Sequence, residues 1–125
     1  MITLSAVVTL ALGASALLMP TILERSGQAQ SEQLGTSICT PLNVAIFVGS
    51  RIHVRCAEVQ ENSIQFYALS IEDPDVDRVL SMLTAAVTSG KKLFVFYNKA
   101  TAANPQGCLE LDCRKMETVA ILPSN

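Results

Sequence analysis

The chain has 125 residues and a mass of 13.4 kDa; half of its residues are apolar, 16% are charged, and nine basic against eleven acidic side chains leave a net charge of −2. That length accommodates one hydrophobic core and not two, and the apolar content excludes a disordered chain. The near balance of charge argues against nucleic acid as a partner.

Met1 to Leu23 contains no charged side chain and is nearly all apolar, with Pro20 placed to end a helix. The polar stretch "ERSGQAQSEQ" follows, in which Gly27 and Ala29 supply the small side chains that a signal peptidase needs before its cut. Residues 1–29 are therefore expected to be a signal peptide cleaved after Ala29. The rival reading is a retained membrane anchor, because no Lys or Arg precedes the apolar run and about 20 apolar residues span a bilayer. Either reading puts the rest of the chain outside the cytoplasm, secreted, periplasmic or anchored with the domain outside, and allows membrane contact only through that segment.

Residues 30–38 are polar and read as a flexible lead-in, with a single domain over 39–125. "PLNVAIFVGS" offers a first strand over Val44 to Val48, and "RIHVRC", Arg51 to Cys56, a second after a gap short enough for a hairpin. A third strand runs from Ile64 to Ile71, where Ile64, Phe66 and Ala68 alternate with Gln65, Tyr67 and Leu69. In "EDPDVDRVLSMLTAAVTSG", Asp73 can cap a helix, Pro74 suits its first position, and Asp75 places negative charge by the unpaired amides. Val76, Val79, Leu80, Leu83 and Val87 then form one apolar stripe, and Gly90 ends the helix. This accounts for the acidic run Glu72 to Asp77 without a metal. "KKLFVFYNK" is a fourth strand, apolar on both faces, and "METVAILP" a fifth that Pro123 terminates.

All four cysteines, Cys39, Cys56, Cys108 and Cys113, lie after the leader, and an even count in a small exported chain reads as two disulfides. Of the three pairings, Cys39 with Cys56 and Cys108 with Cys113 is preferred, since each pair is local and brackets a reversal of the chain. A straight strand would hold Cys108 and Cys113 about 16 Å apart, whereas a disulfide needs about 4.4 to 6.8 Å. "CLELDC" must curl into a stapled loop. A four-cysteine zinc site lacks its close knuckles, so no metal is expected.

Three strands, one helix and two strands fit a mainly β fold, the five-stranded Greek-key barrel called the OB-fold, with the helix as its plug. The alternative is an open α+β sheet with one packed helix. In outline, Cys39 to Leu122 resembles the B subunits of pentameric bacterial toxins, the subtilase-cytotoxin and pertussis-like group. The likeness lies in the early and closing cysteine pairs, the Gly90 turn into "KKLFVFYN", and "CLELDC" near the C-terminus. It implies a ring-forming, receptor-binding subunit without catalytic chemistry. The serine and aromatic residues that grip sugars in that group have no counterpart here, so the resemblance carries over no glycan site.

No catalytic residues or cofactor are expected: His53 is the only histidine and sits between two arginines that depress its basicity, and no phosphate loop or redox Cys-x-x-Cys is present. The expected function is an exported recognition module, with an envelope structural or assembly protein as the alternative. Its candidate ligand-binding residues are Arg51, His53 and Arg55 on the second strand with Gln65 and Tyr67 on the third, a strip suited to a carboxylate, sulfate or acidic sugar. The competing explanation is the ordinary wet side of a half-buried strand. Phe47, Phe66, Phe94 and Phe96 are expected in the core. The expected partners are a saccharide or protein receptor and further copies of the chain, five if toxin-like.

Overall fold

The computed structural model of the chain describes residues 33–60 and 62–124. The signal peptide or anchor expected over 1–29 lies outside the described residues. The elements are β1 (Leu34–Cys39), β2 (Pro41–Phe47), β3 (Arg51–Cys56), β4 (Phe66–Ser70), α1 (Val76–Ser89), β5 (Leu93–Asn98), a short 3-10 turn (Thr101–Ala103) and β6 (Cys113–Ile121). Among the described residues the fold is mainly β with one helix.

The six strands form one mixed sheet in the order β1-β5-β6-β4-β3-β2. Neighbours are antiparallel except β4 and β6, which run parallel from Phe66 opposite Cys113. The strand β6 changes partner along its length: Cys113 to Lys115 pair with β4, and Met116 to Ile121 pair with β5. This corrects the expected closed five-stranded barrel, because the described residues hold six strands and no ladder among them joins β1 to β2. The extra strand arises at Thr40, the one residue between β1 and β2. Its backbone N–H donates to Glu58 Oε2 at 2.7 Å, its hydroxyl donates to Glu58 Oε1, and its carbonyl accepts from the Ala57 N–H at 2.8 Å. Burial works against the Glu58 anion, but the hydrogen bonds from Thr40 hold its carboxyl below the usual range.

The strand β1 occupies most of the stretch read as a flexible lead-in, so order begins before Cys39. Its inward positions are Gly35, Ser37 and Cys39, all small, so it lacks the large apolar alternation that announces a strand. Gly35 is required by the close approach of the Tyr97 ring, which a Cβ would strike. Both preferred disulfides are formed: Cys39 with Cys56, with α-carbons 5.1 Å apart, and Cys108 with Cys113, at 5.3 Å.

The helix begins later than Pro74. The Asp73 carboxylate accepts from the Asp75 N–H at 2.8 Å in a turn ahead of the helix, and Asp75 occupies the cap position without a side-chain bond. Gly90, at φ 69°, ends it in the left-handed conformation, and the Lys91 N–H closes back on the Ala86 carbonyl at 3.1 Å. Leu83 and Ala86 are fully buried; Val76, Val79 and Leu80 pack at the margin of the core.

The aromatic residues sort against expectation. Both tyrosines are in the core, Tyr67 at 0% and Tyr97 at 6% exposure, whereas Phe47 and Phe96 are exposed and Phe66 and Phe94 only half-buried. In β5 the buried side is Leu93, Val95 and Tyr97; the side carrying Phe94 and Phe96 has no layer over it among the described residues.

Candidate functional site

The outer face of β3 carries Arg51, His53 and Arg55, as the alternation of "RIHVRC" requires, while Ile52, Val54 and Cys56 are buried on the inner face. Antiparallel register sets His53 opposite Ala45 of β2 and Ala68 of β4, Arg51 opposite Phe47 and Ser70, and Arg55 opposite Phe66.

The third strand has the reverse of the expected parity. Phe66 stands on the outer face near His53, and Tyr67 points into the core, so Tyr67 is removed from the strip. The cause lies in "FYALS", where Tyr67, Ala68 and Leu69 are all buried. Ala68 is on the outer face but is covered by the Cys108–Cys113 disulfide, with Phe66 against it. Burial pushes the Tyr67 phenol above its ordinary range. Gln65 is half-buried at the foot of β4, its side-chain amide donating to the Cys56 carbonyl at 3.2 Å, a bond that fixes the β3–β4 junction.

The loop stapled by Cys108 and Cys113 lies across this outer face as a strap. Ser50 Oγ and Arg51 Nη1 both donate to the Gln106 carbonyl, at 3.0 and 3.2 Å, and the Asp112 carbonyl accepts from the N–H groups of Gln65 and Phe66 at 2.9 and 3.0 Å. Gly107, at φ 83°, lies so close under the Arg51 guanidinium that a Cβ would collide with it. That guanidinium also covers the Phe47 ring, 3.8 Å from its centroid. His53 sits between two aromatic rings, 4.8 Å from Phe47 and 5.0 Å from Phe66. Burial lowers its basicity, the Arg51 charge lowers it further, and Asp112 opposes them.

Between strap and sheet a cleft of about 220 Å³ is lined by Arg51, His53, Phe66, Gly107, Leu109, Asp112 and Cys113. It offers aromatic faces, a cationic donor, a carboxylate acceptor and an exposed leucine, the mixture of apolar wall and few polar groups that orients small ligands. Of the strip read from sequence, Arg51 and His53 line it, Arg55 is exposed on the same face beyond the lining, and Gln65 and Tyr67 do not take part. Phe66, Gly107, Leu109 and Asp112 were missed. The small Ala68 amid larger residues was the one signal of a seat for the staple. Among the described residues no three or more His, Cys, Asp or Glu side chains cluster as metal ligands, and no helix is long and apolar enough to cross a membrane.

Comparison of the chain with protein-family models, with curated proteins and with solved structures returned no match.

Proposed function

We propose that the protein is an exported, non-catalytic recognition module that binds a saccharide or a protein receptor in the cleft between the strap and the outer face of β3 and β4. The observation that carries it is the convergence of Phe66, His53, Arg51 and Asp112 on one open cleft. A ring face can cover the C–H face of a sugar or an aliphatic side chain, while a guanidinium and a carboxylate exchange hydrogen bonds with hydroxyl or amide groups. The disulfides support export, because crosslinks of this kind persist in oxidising compartments such as the periplasm or the extracellular medium. The non-catalytic reading rests on the same residues. All four cysteines are tied in disulfides, and the single histidine is packed between two phenylalanine rings.

In its finer form the fold is a partly open Greek-key barrel of the OB type. Joining β1 and β2 across Thr40 into one bent strand returns five strands, with the ligand face on the second and third of them, as in that fold. A toxin B-subunit relationship is the corresponding proposal of family, and a pentameric mass for the purified protein would support it. The second reading, an envelope assembly protein making only protein contacts, is favoured by one observation: Leu109 and Leu111 stand 64% and 82% exposed on the strap.

Glycan-array and receptor-capture binding with Arg51→Ala and Asp112→Asn tests the site. We expect each variant to weaken binding at least tenfold, by the loss of a charge-assisted hydrogen bond. Undiminished binding by both variants removes the cleft from the reading. Protein contacts that persist in both variants and fail in Leu111→Asp favour the assembly role.

A further inference from the structure

We infer that the cleft under the strap selects a neutral, hydroxyl-rich sugar unit and discriminates against acidic sugars. This rests on the recognition reading of the cleft and narrows its ligand. It runs against the carboxylate or sulfate that the alternation of "RIHVRC" suggests by itself.

Arg51 is occupied as the latch of the strap. A guanidinium grips a carboxylate through two parallel N–H groups, either Nε with one Nη or the two Nη together. Here Nε is shut off from solvent and has no hydrogen-bond partner, while Nη1 donates to the Gln106 carbonyl at 3.2 Å beside Gly107. One flat side of the group lies over the Phe47 ring. Both forks are therefore broken, and Nη2 is left as a donor of single hydrogen bonds. That suits a hydroxyl oxygen and forfeits the paired geometry by which an anionic group is held.

Asp112 is the converse case. Its backbone carbonyl holds the Gln65 and Phe66 N–H groups, but among the described residues its carboxylate enters no ion pair. The side-chain donors around it, Arg51, Gln65 and Arg114, go to backbone carbonyls instead. The carboxylate thus lines the cleft as an open acceptor, whose two oxygens can take hydrogen bonds from neighbouring hydroxyls. The same group repels a carboxylate or sulfate brought into the cleft. His53 does not offset that repulsion, because burial and the Arg51 charge disfavour its cationic form, and Arg55 lies beyond the lining. A cationic ligand fares no better, since it meets the Arg51 guanidinium. With one fixed charge of each sign on its wall, the cleft opposes net charge of either sign.

The apolar part of the wall completes the match. The rings of Phe66 and His53, 5.0 Å apart, and the exposed Leu109 give surfaces for the C–H face of a pyranose. The volume of about 220 Å³ lies below the roughly 300 to 1,000 Å³ of sites for drug-sized ligands, so the cleft takes one sugar unit and not a run of them.

The test pairs the methyl pyranosides of glucose, galactose and mannose each with its uronic acid counterpart, in which a carboxylate replaces the hydroxymethyl group. Protein purified after expression of the full chain is titrated at neutral pH over roughly 1 to 100 mM, a span suited to weak single-site binding, and followed by the amide shifts of Phe66, Gly107 and Asp112. At least one neutral glycoside is expected to move these amides, with its acidic counterpart roughly tenfold weaker or more. Asp112→Asn, retaining two disulfides and the wild-type circular dichroism, should weaken the neutral sugar and shrink the gap to about threefold or less, because an amide does not repel a carboxylate. An acidic sugar that binds as tightly as its neutral counterpart, or a gap that survives in Asp112→Asn, overturns the selectivity while leaving the cleft as a recognition site. If no sugar of either class moves the amides, the saccharide reading of the cleft falls together with this inference.

Discussion

His53 shows how one residue can combine an ordinary strand position with an unusual environment. It is the only histidine in the chain, so its ring protons report a single titration. Burial and the Arg51 charge favour its neutral form, with Asp112 opposing. Its folded pKa therefore lies below the unfolded value of about 6.5. A depressed folded pKa means that the unfolded chain takes up the proton first, so stability is flat above the unfolded value and declines as pH falls through the folded one. Proton NMR should place the His53 midpoint below the free-imidazole value, and thermal melts should decline on acidification into that window. His53→Gln should remove that part of the decline; a midpoint at or above the free value would contradict the aromatic enclosure. At Gly107, both the positive φ and the Arg51 guanidinium oppose a side chain. Gly107→Ala should cost about 1 to 2 kcal/mol, read as a lower denaturant midpoint at unchanged slope.

At the scale of elements, the two staples are unequal. The Cys39–Cys56 bond closes a long loop and its sulfurs belong to the main core, whereas Cys108–Cys113 closes a loop of sequence separation 5 and belongs to a small cluster with Ala68 and Phe66. Loop-closure entropy predicts about 3 kcal/mol for the first and about 2 kcal/mol for the second. Cys39→Ser/Cys56→Ser should therefore unfold at the lower denaturant concentration. The Cys108→Ser/Cys113→Ser pair should keep the main core but free the strap, seen as new amide exchange at Gln65 and Phe66, whose N–H groups donate to Asp112. The helix is held by its buried face rather than by its cap, since Asp75 makes no side-chain capping bond. Leu83→Ala, at a position with no exposure, should cost about 2 to 5 kcal/mol in chemical denaturation.

For the molecule as a whole, legibility followed the range of the forces involved. The helix was readable because its stripe and its Gly90 stop are both local, and β3 because its two faces meet very different surroundings. Local pairing also made both disulfides readable. β1 was not readable, since its inward residues are small where Tyr97 crowds Gly35, and that neighbour comes from β5. The parity of β4 misled for a related reason: Ala68 is buried by a staple at Cys108 and Cys113, far along the chain, so alternation ceased to mark the core side. Phe94 and Phe96 misled because hydrophobicity signals burial only when a second layer is present to receive it. What the amino-acid order determined by itself was therefore five of the six described strands, the helix and its end, and the oxidised pairing of nearby cysteines, all consequences of contacts along the chain. Which faces of β4 and β5 are dry, where the strap lies, and hence which side chains surround the cleft were decided only by tertiary structure, because they depend on segments that meet after the sheet has formed.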